Sequence, residues 1–347
     1  MTGLAWFSPP LPKPLKHVIQ RFTLINVSIN ENADLDPSQV EDLRGVSGGA
    51  AAGAGCLTAL MPTFRRSPKL GCAAVLLAVL CLGGFVCLNT TNIGENIGVG
   101  GAGGGGPVAN EPEGNPDLQE ACSTANPDRF QRTDCRNLAY INSIQAYWRQ
   151  AMPQYFGQPY QKATTRLFSG GVQTACGAAT AGTGPFYCPA DKHVYIDISF
   201  YDELAHRYGA PGQFAQAYVL AHEYGHHVQT LLGTEADARR AQQRDPANAN
   251  RYSVALELQA DCYAGAWANA AGRTTDATGQ PLFTSVTQQD IDQALQAAAA
   301  VGDDTIQKKT TGQINESGFT HGSAEQRQQW FGKGYQTGDP RQCNTFA

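Results

Sequence analysis

A His-Glu-x-x-His motif in an alanine-rich, apolar stretch, Ala221 to His227, constrains this chain more than any other feature. Residues four apart stand on one face of an α-helix, so His222 and His226 grip one metal ion only if the stretch is helical. Glu223 then lies beside them, placed to take a proton from a metal-bound water. That is the arrangement of a zinc peptidase helix. The alternative is a helix with two packed histidines and no metal.

A catalytic zinc usually takes three protein ligands, and this helix supplies two. A metzincin-type third ligand needs a glycine at 229 and a histidine at 232, where the chain has Gln229 and Leu232. The other solution takes a glutamate from a later helix. Tyr252–Gly265 fits one, and in it Glu257 and Asp261 are four apart and share a face. Glu257 is the candidate third ligand, and Asp261 the carboxylate that holds the free ring nitrogen of a ligand histidine. Ala260, Ala264 and Trp267 make this helix packed rather than a solvated acidic face. Glu235 and Asp237 compete for the role from an expected loop. His227 is turned about 100° from His226 and reads as a packing residue.

Coarse patterns place the motif. Pro211 opens a helix that runs through Leu232, with Gly233 just past its end. Leu138, Ile141, Ile144 and Trp148 give residues 136–148 helical spacing. Thr164–Phe168 is a short strand candidate, and His193–Phe200 alternates like a strand with Val194, Ile196 and Ile198 on one face. A strand feeding into the metal helix suits peptide hydrolysis, because a strand edge binds an extended peptide by main-chain hydrogen bonds.

Outside this region the chain divides by composition. Residues 1–69 are polar to mixed and Pro-rich, and little stable structure is expected there. Residues 70–88 are nineteen uncharged residues, about the length of a bilayer span. Arg65, Arg66 and Lys69 precede them, and no basic residue follows until Arg129. The positive-inside rule then gives a single-pass cell-membrane protein, with a cytoplasmic N-terminus and the remainder outside. A signal anchor fits better than a cleaved signal peptide, whose small-residue site is missing; a buried core helix is the alternative. Residues 89–117, rich in Gly and Pro, form a tether, and the folded domain is expected over 118–347. The net charge of −5 and the lack of a basic block exclude a nucleic-acid partner.

Six cysteines fall in the expected outer domain: Cys122, Cys135, Cys176, Cys188, Cys262 and Cys343. An even number in an extracytoplasmic domain points to disulfides, with fifteen pairings open. Short loops favour Cys122–Cys135 and Cys176–Cys188, leaving Cys262–Cys343. No CxxC pair exists, which argues against a structural cysteine-rich zinc site.

Val219–Gln229 followed by Glu257–Gly265 resembles the neutral zinc metallopeptidases of bacteria, a gluzincin-like family. Asp134–Arg136, Gly184–Cys188, Val194–Asp197 and His321–Arg327 resemble its pattern as well, and so does Asp36–Gly45. The likeness covers roughly residues 30–347. It implies zinc and a membrane-anchored, peptidase-like domain acting on a peptide or protein. The expected fold is α+β, mostly helical after residue 210 and zincin-like, with a small β-sheet and one preceding transmembrane helix. The site is expected in the cleft between the zinc helix and the Glu257 helix.

The expected mechanism has Zn2+ on His222, His226 and Glu257, with Glu223 as general base. Such sites add a donor for the developing oxyanion. His321 is the candidate, ahead of a capping box from Ser323 to Gln326, with Tyr224 and Tyr263 as weaker ones. A loop histidine at a helix start is the alternative for His321. At the level of function, a zinc-stabilised binding or scaffold domain and a hydrolase of non-peptide bonds stand beside the peptidase. Intact Glu223 favours the peptidase, since a scaffold needs ligands but no base.

Overall fold

The computed structural model describes residues 28–45 and 116–346. In chain order its elements are β1 (Ser28–Ile29), β2 (Val40–Asp42), α1 (Pro116–Ala121), α2 (Thr133–Ala151), β3 (Thr164–Phe168), β4 (Gly171–Thr174), β5 (Gly177–Thr180), β6 (Phe186–Cys188), β7 (His193–Asp197), α3 (Phe200–His206), α4 (Gln213–Leu232), α5 (Thr234–Arg244), α6 (Ala249–Ala270), β8 (Phe283–Ser285), α7 (Gln288–Ala300), α8 (Asp303–Thr311) and α9 (Ala324–Thr337). This is an α+β arrangement, mostly helical, with small sheets.

The main sheet runs β2-β3-β7-β6. β2, β3 and β7 are parallel, and β6 closes one edge antiparallel to β7. β7 is buried on both faces, as a central strand between two packed layers must be. Val194 and Ile196 join the large core, while Tyr195 meets Phe168 and Cys188 in a smaller one. The strand stops at Asp197, short of the expected Phe200. The Asp197 carboxylate accepts from the backbone N–H of Ser199 and of Gly170, and Phe200 then opens α3. β4 and β5 form a separate hairpin, and β1 pairs with β8.

α4 starts at Gln213 rather than at Pro211. The Oε1 of Gln293 on α7 accepts the N–H of Phe214, meeting a donor that the helix start leaves unpaired. Gly233 ends the helix with φ +78°. Glu235 and Asp237, expected in a loop, lie in the first turn of α5, where acidic side chains favour the helix dipole. α6 is longer than Tyr252–Gly265 and lies against both α4 and α9. The approach is close: a Cβ on Gly225 would stand 2.9 Å from Ala260 Cα, and one on Gly334 1.9 Å from the Cys262 carbonyl oxygen.

Residues 28–45, expected within a largely unstructured stretch, are part of this core. Ile29, Leu35 and Val40 are buried in it. Buried polar side chains bind the backbone of this segment. Asn142 on α2 accepts from Asp36 N–H at 2.7 Å and donates to Asp36 O at 3.1 Å. Arg129 donates to the carbonyls of Glu31 and Ala33, both at 2.8 Å. Satisfying such groups is a condition of burying them.

The apolar run 70–88, the tether up to residue 115 and most of the N-terminal stretch lie outside the described residues, and the last two tether residues open α1. Among the described residues no helix is long and apolar enough to cross a membrane. Pairing of β2 with β3 requires residues 28–45 and 116–346 to share one side of any membrane. Among the described residues the disulfides are Cys122–Cys135, Cys176–Cys188 and Cys262–Cys343.

Candidate metal centre

One turn of α4 brings His222 and His226 together, with their Nε2 atoms 3.2 Å apart. α6 crosses behind and delivers Glu257, whose Oε2 lies 3.1 Å from His222 Nε2 and whose Oε1 lies 3.4 Å from His226 Nε2. All three ligand atoms fall within 4.8 Å of one another. Ligand nitrogens each about 2.05 Å from a tetrahedral zinc stand about 3.3 Å apart, so this donor set fits zinc in both spacing and chemistry. Glu235 and Asp237 take no part: Glu235 binds Thr230 and Arg239, and Asp237 binds Arg240.

Asp261, one turn after Glu257, faces His222 Nδ1 at 2.8 Å. It is fully buried and carries two further partners that sequence reasoning missed. Arg327 on α9 donates to both Asp261 oxygens, at 2.8 and 3.0 Å, and the Tyr218 hydroxyl donates to Oδ1 at 2.5 Å. Arg327 also stands 3.8 Å from Glu257. Both signals were present in the chain. Tyr218 is four residues before His222 and shares its helix face, and Arg327 closes the stretch His321–Arg327.

These charges set the protonation of the site. Burial opposes an imidazolium at His222, but Asp261 and then Glu257 outweigh it and push the pKa up to about 10. Burial also opposes the Glu257 carboxylate, yet His226, His321 and His222 hold it well below the usual range. Glu223 moves the other way. Its carboxyl is raised by burial, against the opposing pull of His222 and His226. Of the two carboxyls, one is kept ionised beside the imidazoles and the other is moved toward proton uptake.

His321 sits just before α9, half exposed, with Nδ1 3.1 Å from Asp303 Oδ1. Asp303 also accepts the backbone N–H groups of Thr320, His321 and Gly322 through Oδ2. Burial lowers the pKa of His321, but Glu257 and Asp303 raise it on balance, so its charge and that of Glu257 act on each other. Tyr224 and Tyr263 point elsewhere. The Tyr224 hydroxyl bonds Thr165 under the sheet, and Tyr263 packs edge-on against Trp148. His227 is buried, between the Tyr187 hydroxyl and the Gln161 carbonyl. Burial lowers its pKa to about 4, which keeps it neutral.

The model of a family described as "putative neutral zinc metallopeptidase" matches residues 32–346. The uncharacterized protein YpfJ of Escherichia coli (strain K12) is 37% identical over 313 residues, 90% of this chain and 96% of its own length. The uncharacterized protein Rv2575 of Mycobacterium tuberculosis (strain H37Rv) is 48% identical over 233 residues, 67% of this chain and 76% of its own. No solved structure matches.

Proposed function

This chain belongs to the neutral zinc metallopeptidase family, and on that premise we propose that it hydrolyses peptide bonds, with His222, His226 and Glu257 holding zinc and Glu223 as the base. The observation that carries the reading is the convergence of two imidazole nitrogens and one ionised carboxylate at zinc-ligand spacing, with a buried carboxyl on the residue between the histidines. Bound zinc supplies the Lewis acidity that makes water a nucleophile near neutral pH. Glu223 accepts the proton from that water and hands it to the leaving amine; its raised pKa suits both steps. His321, held by Asp303, donates to the substrate carbonyl oxygen as negative charge builds there. Asp261 fixes the proton of His222 on Nδ1 and so leaves Nε2 for the metal. The outer side of β6, the edge of the main sheet, offers main-chain groups for an extended peptide. The disulfides favour an oxidising compartment outside the cytoplasm for the whole folded unit, residues 28–45 included. A zinc-stabilised binding domain has less support, because it gives the buried Glu223 no task.

The test is zinc content and hydrolysis of a peptide pool by the full chain, beside Glu223→Gln and Glu257→Ala. Glu223→Gln is expected to keep its zinc and lose hydrolysis by roughly 10²–10⁴-fold. Glu257→Ala is expected to lose zinc. Stoichiometric zinc with no cleavage by the unmutated chain would favour the binding domain, and no zinc at all would end both readings.

A further inference from the structure

The two metal-site histidines spend their Nδ1 atoms differently. His222 gives its to a carboxylate, Asp261. His226 Nδ1 instead lies 2.9 Å from Oε1 of Gln229, a neutral amide that is fully buried.

The direction of that hydrogen bond is fixed from its far end. The carbonyl of Cys343 can only accept, so the end of the Gln259 amide 2.9 Å from it is the NH2 group. Gln259 then turns its oxygen toward Gln229, 3.1 Å away. The Leu256 carbonyl, 2.7 Å from the same end of Gln229, also only accepts. That end of Gln229 is therefore its NH2 group, with both hydrogens used. The oxygen of Gln229 faces His226, and an oxygen without a hydrogen obliges the imidazole to donate. His226 therefore carries a proton on Nδ1, and its Nε2 faces His222 and Glu257.

We propose that Gln229 is a positioning residue that locks His226 in the tautomer able to bind metal, and that the C-terminal segment, tied to α6 by Cys262–Cys343, sets its orientation through Gln259. This rests on the zinc reading of the site. It assigns work to the residue at the position where the metzincin pattern has its glycine. A neutral amide suits the place, because Arg327 is already matched to Asp261 and a carboxylate here would add buried charge without a partner.

Chelator competition on the purified full chain, with zinc alone as the probe, tests the proposal alongside thermal unfolding. Gln229→Met leaves His226 without its acceptor and is expected to weaken zinc binding 10–100-fold. Gln229→Glu keeps an oxygen for His226 but loses the donor to Leu256 and Gln259. It is expected to hold zinc within about threefold of the unmutated chain while unfolding at a lower temperature. That split between affinity and stability separates positioning from simple support of the fold. Equal losses of affinity in the two variants would overturn the proposal, and so would unchanged affinity in Gln229→Met. Absence of zinc binding by the unmutated chain would instead remove the zinc reading beneath it.

Discussion

His222, Glu223 and His226 need only one helix to stand together, whereas β2 and β3 meet after the chain has passed from Asp42 to Thr164. The helical region around the site is joined by touching backbones and a buried network of charges. The sheet region is joined by ladders, the Cys176–Cys188 disulfide and polar side chains that bind the backbone of residues 28–45. The difference teaches where each region is vulnerable. Among the helices, one unmatched charge or one added methyl is felt at the metal site. Around the sheet, a piece can loosen while the site helices stay packed.

The largest effect should come from the charge network. Arg327 is almost fully buried and is the cation matched to Asp261. Arg327→Met leaves that carboxylate buried with His222 and Tyr218 alone, and removing one partner of a buried pair costs about 3–5 kcal/mol. In a folded unit of this size that is a fall of roughly 10 °C in the unfolding midpoint. Arg327→Lys should recover only part of it, since one ammonium cannot make the two-pronged bond. A Met variant that unfolds with the unmutated protein would show that the helices are held by packing alone.

Backbone contact should come next. A Cβ on Gly334 meets the carbonyl of Cys262, and neither side is a flexible side chain that could swing away. Gly334→Ala must part α6 from α9 and should cost about 1–3 kcal/mol. Gly225→Ala is the milder insertion, against Ala260, but it lies between His222 and His226 along α4. It should therefore weaken zinc binding out of proportion to its loss of stability, as chelator competition and thermal unfolding on the same samples would show. Proportional losses would mean that the ligand spacing tolerates movement of α4 against α6.

The same contrast explains what the sequence disclosed. The motif spacing, the Glu257–Asp261 pair and the Gly233 helix end depend on neighbours a few residues away, and each is written locally. Loop length alone favoured the pairs Cys122–Cys135 and Cys176–Cys188, which the structure contains. Arg327 stood in the chain only as the end of the stretch His321–Arg327, and Gln259 carried no signal, because each acts across a helix interface whose partner no local pattern names. Residues 28–45 were the larger miss. Their few apolar residues look too sparse for a core, since their docking rests on backbone groups bound by Arg129 and Asn142. Such bonds leave almost no hydrophobic periodicity to read.

The smallest effect should appear where the 28–45 segment is pinned by charge. Arg44 reaches Asp134 at 2.9 Å and Arg132 reaches it at 2.8 Å. Asp134 is buried, which alone would raise its pKa, but Arg132 and Arg44 lower it below its ordinary value on balance. A carboxyl whose folded pKa is depressed stabilises the fold above its unfolded pKa, and that stability drains away as pH falls through the folded value. Arg132 is half exposed, so solvent screens part of the attraction, and Asp134→Asn should cost only about 1 kcal/mol at pH 7. The difference between the variant and the unmutated chain should begin to narrow below about pH 3.8, the ordinary aspartate value, and close only as pH falls through the lower folded value. Hydrogen exchange gives the decisive view. In Asp134→Asn the amides of Val40–Asp42 should exchange faster while those of α4 keep their protection, because the loosened piece is bound to the sheet and not to the metal helices. Equal acceleration in both would mean that sheet and helices open as one unit, and the contrast between the two regions would fail.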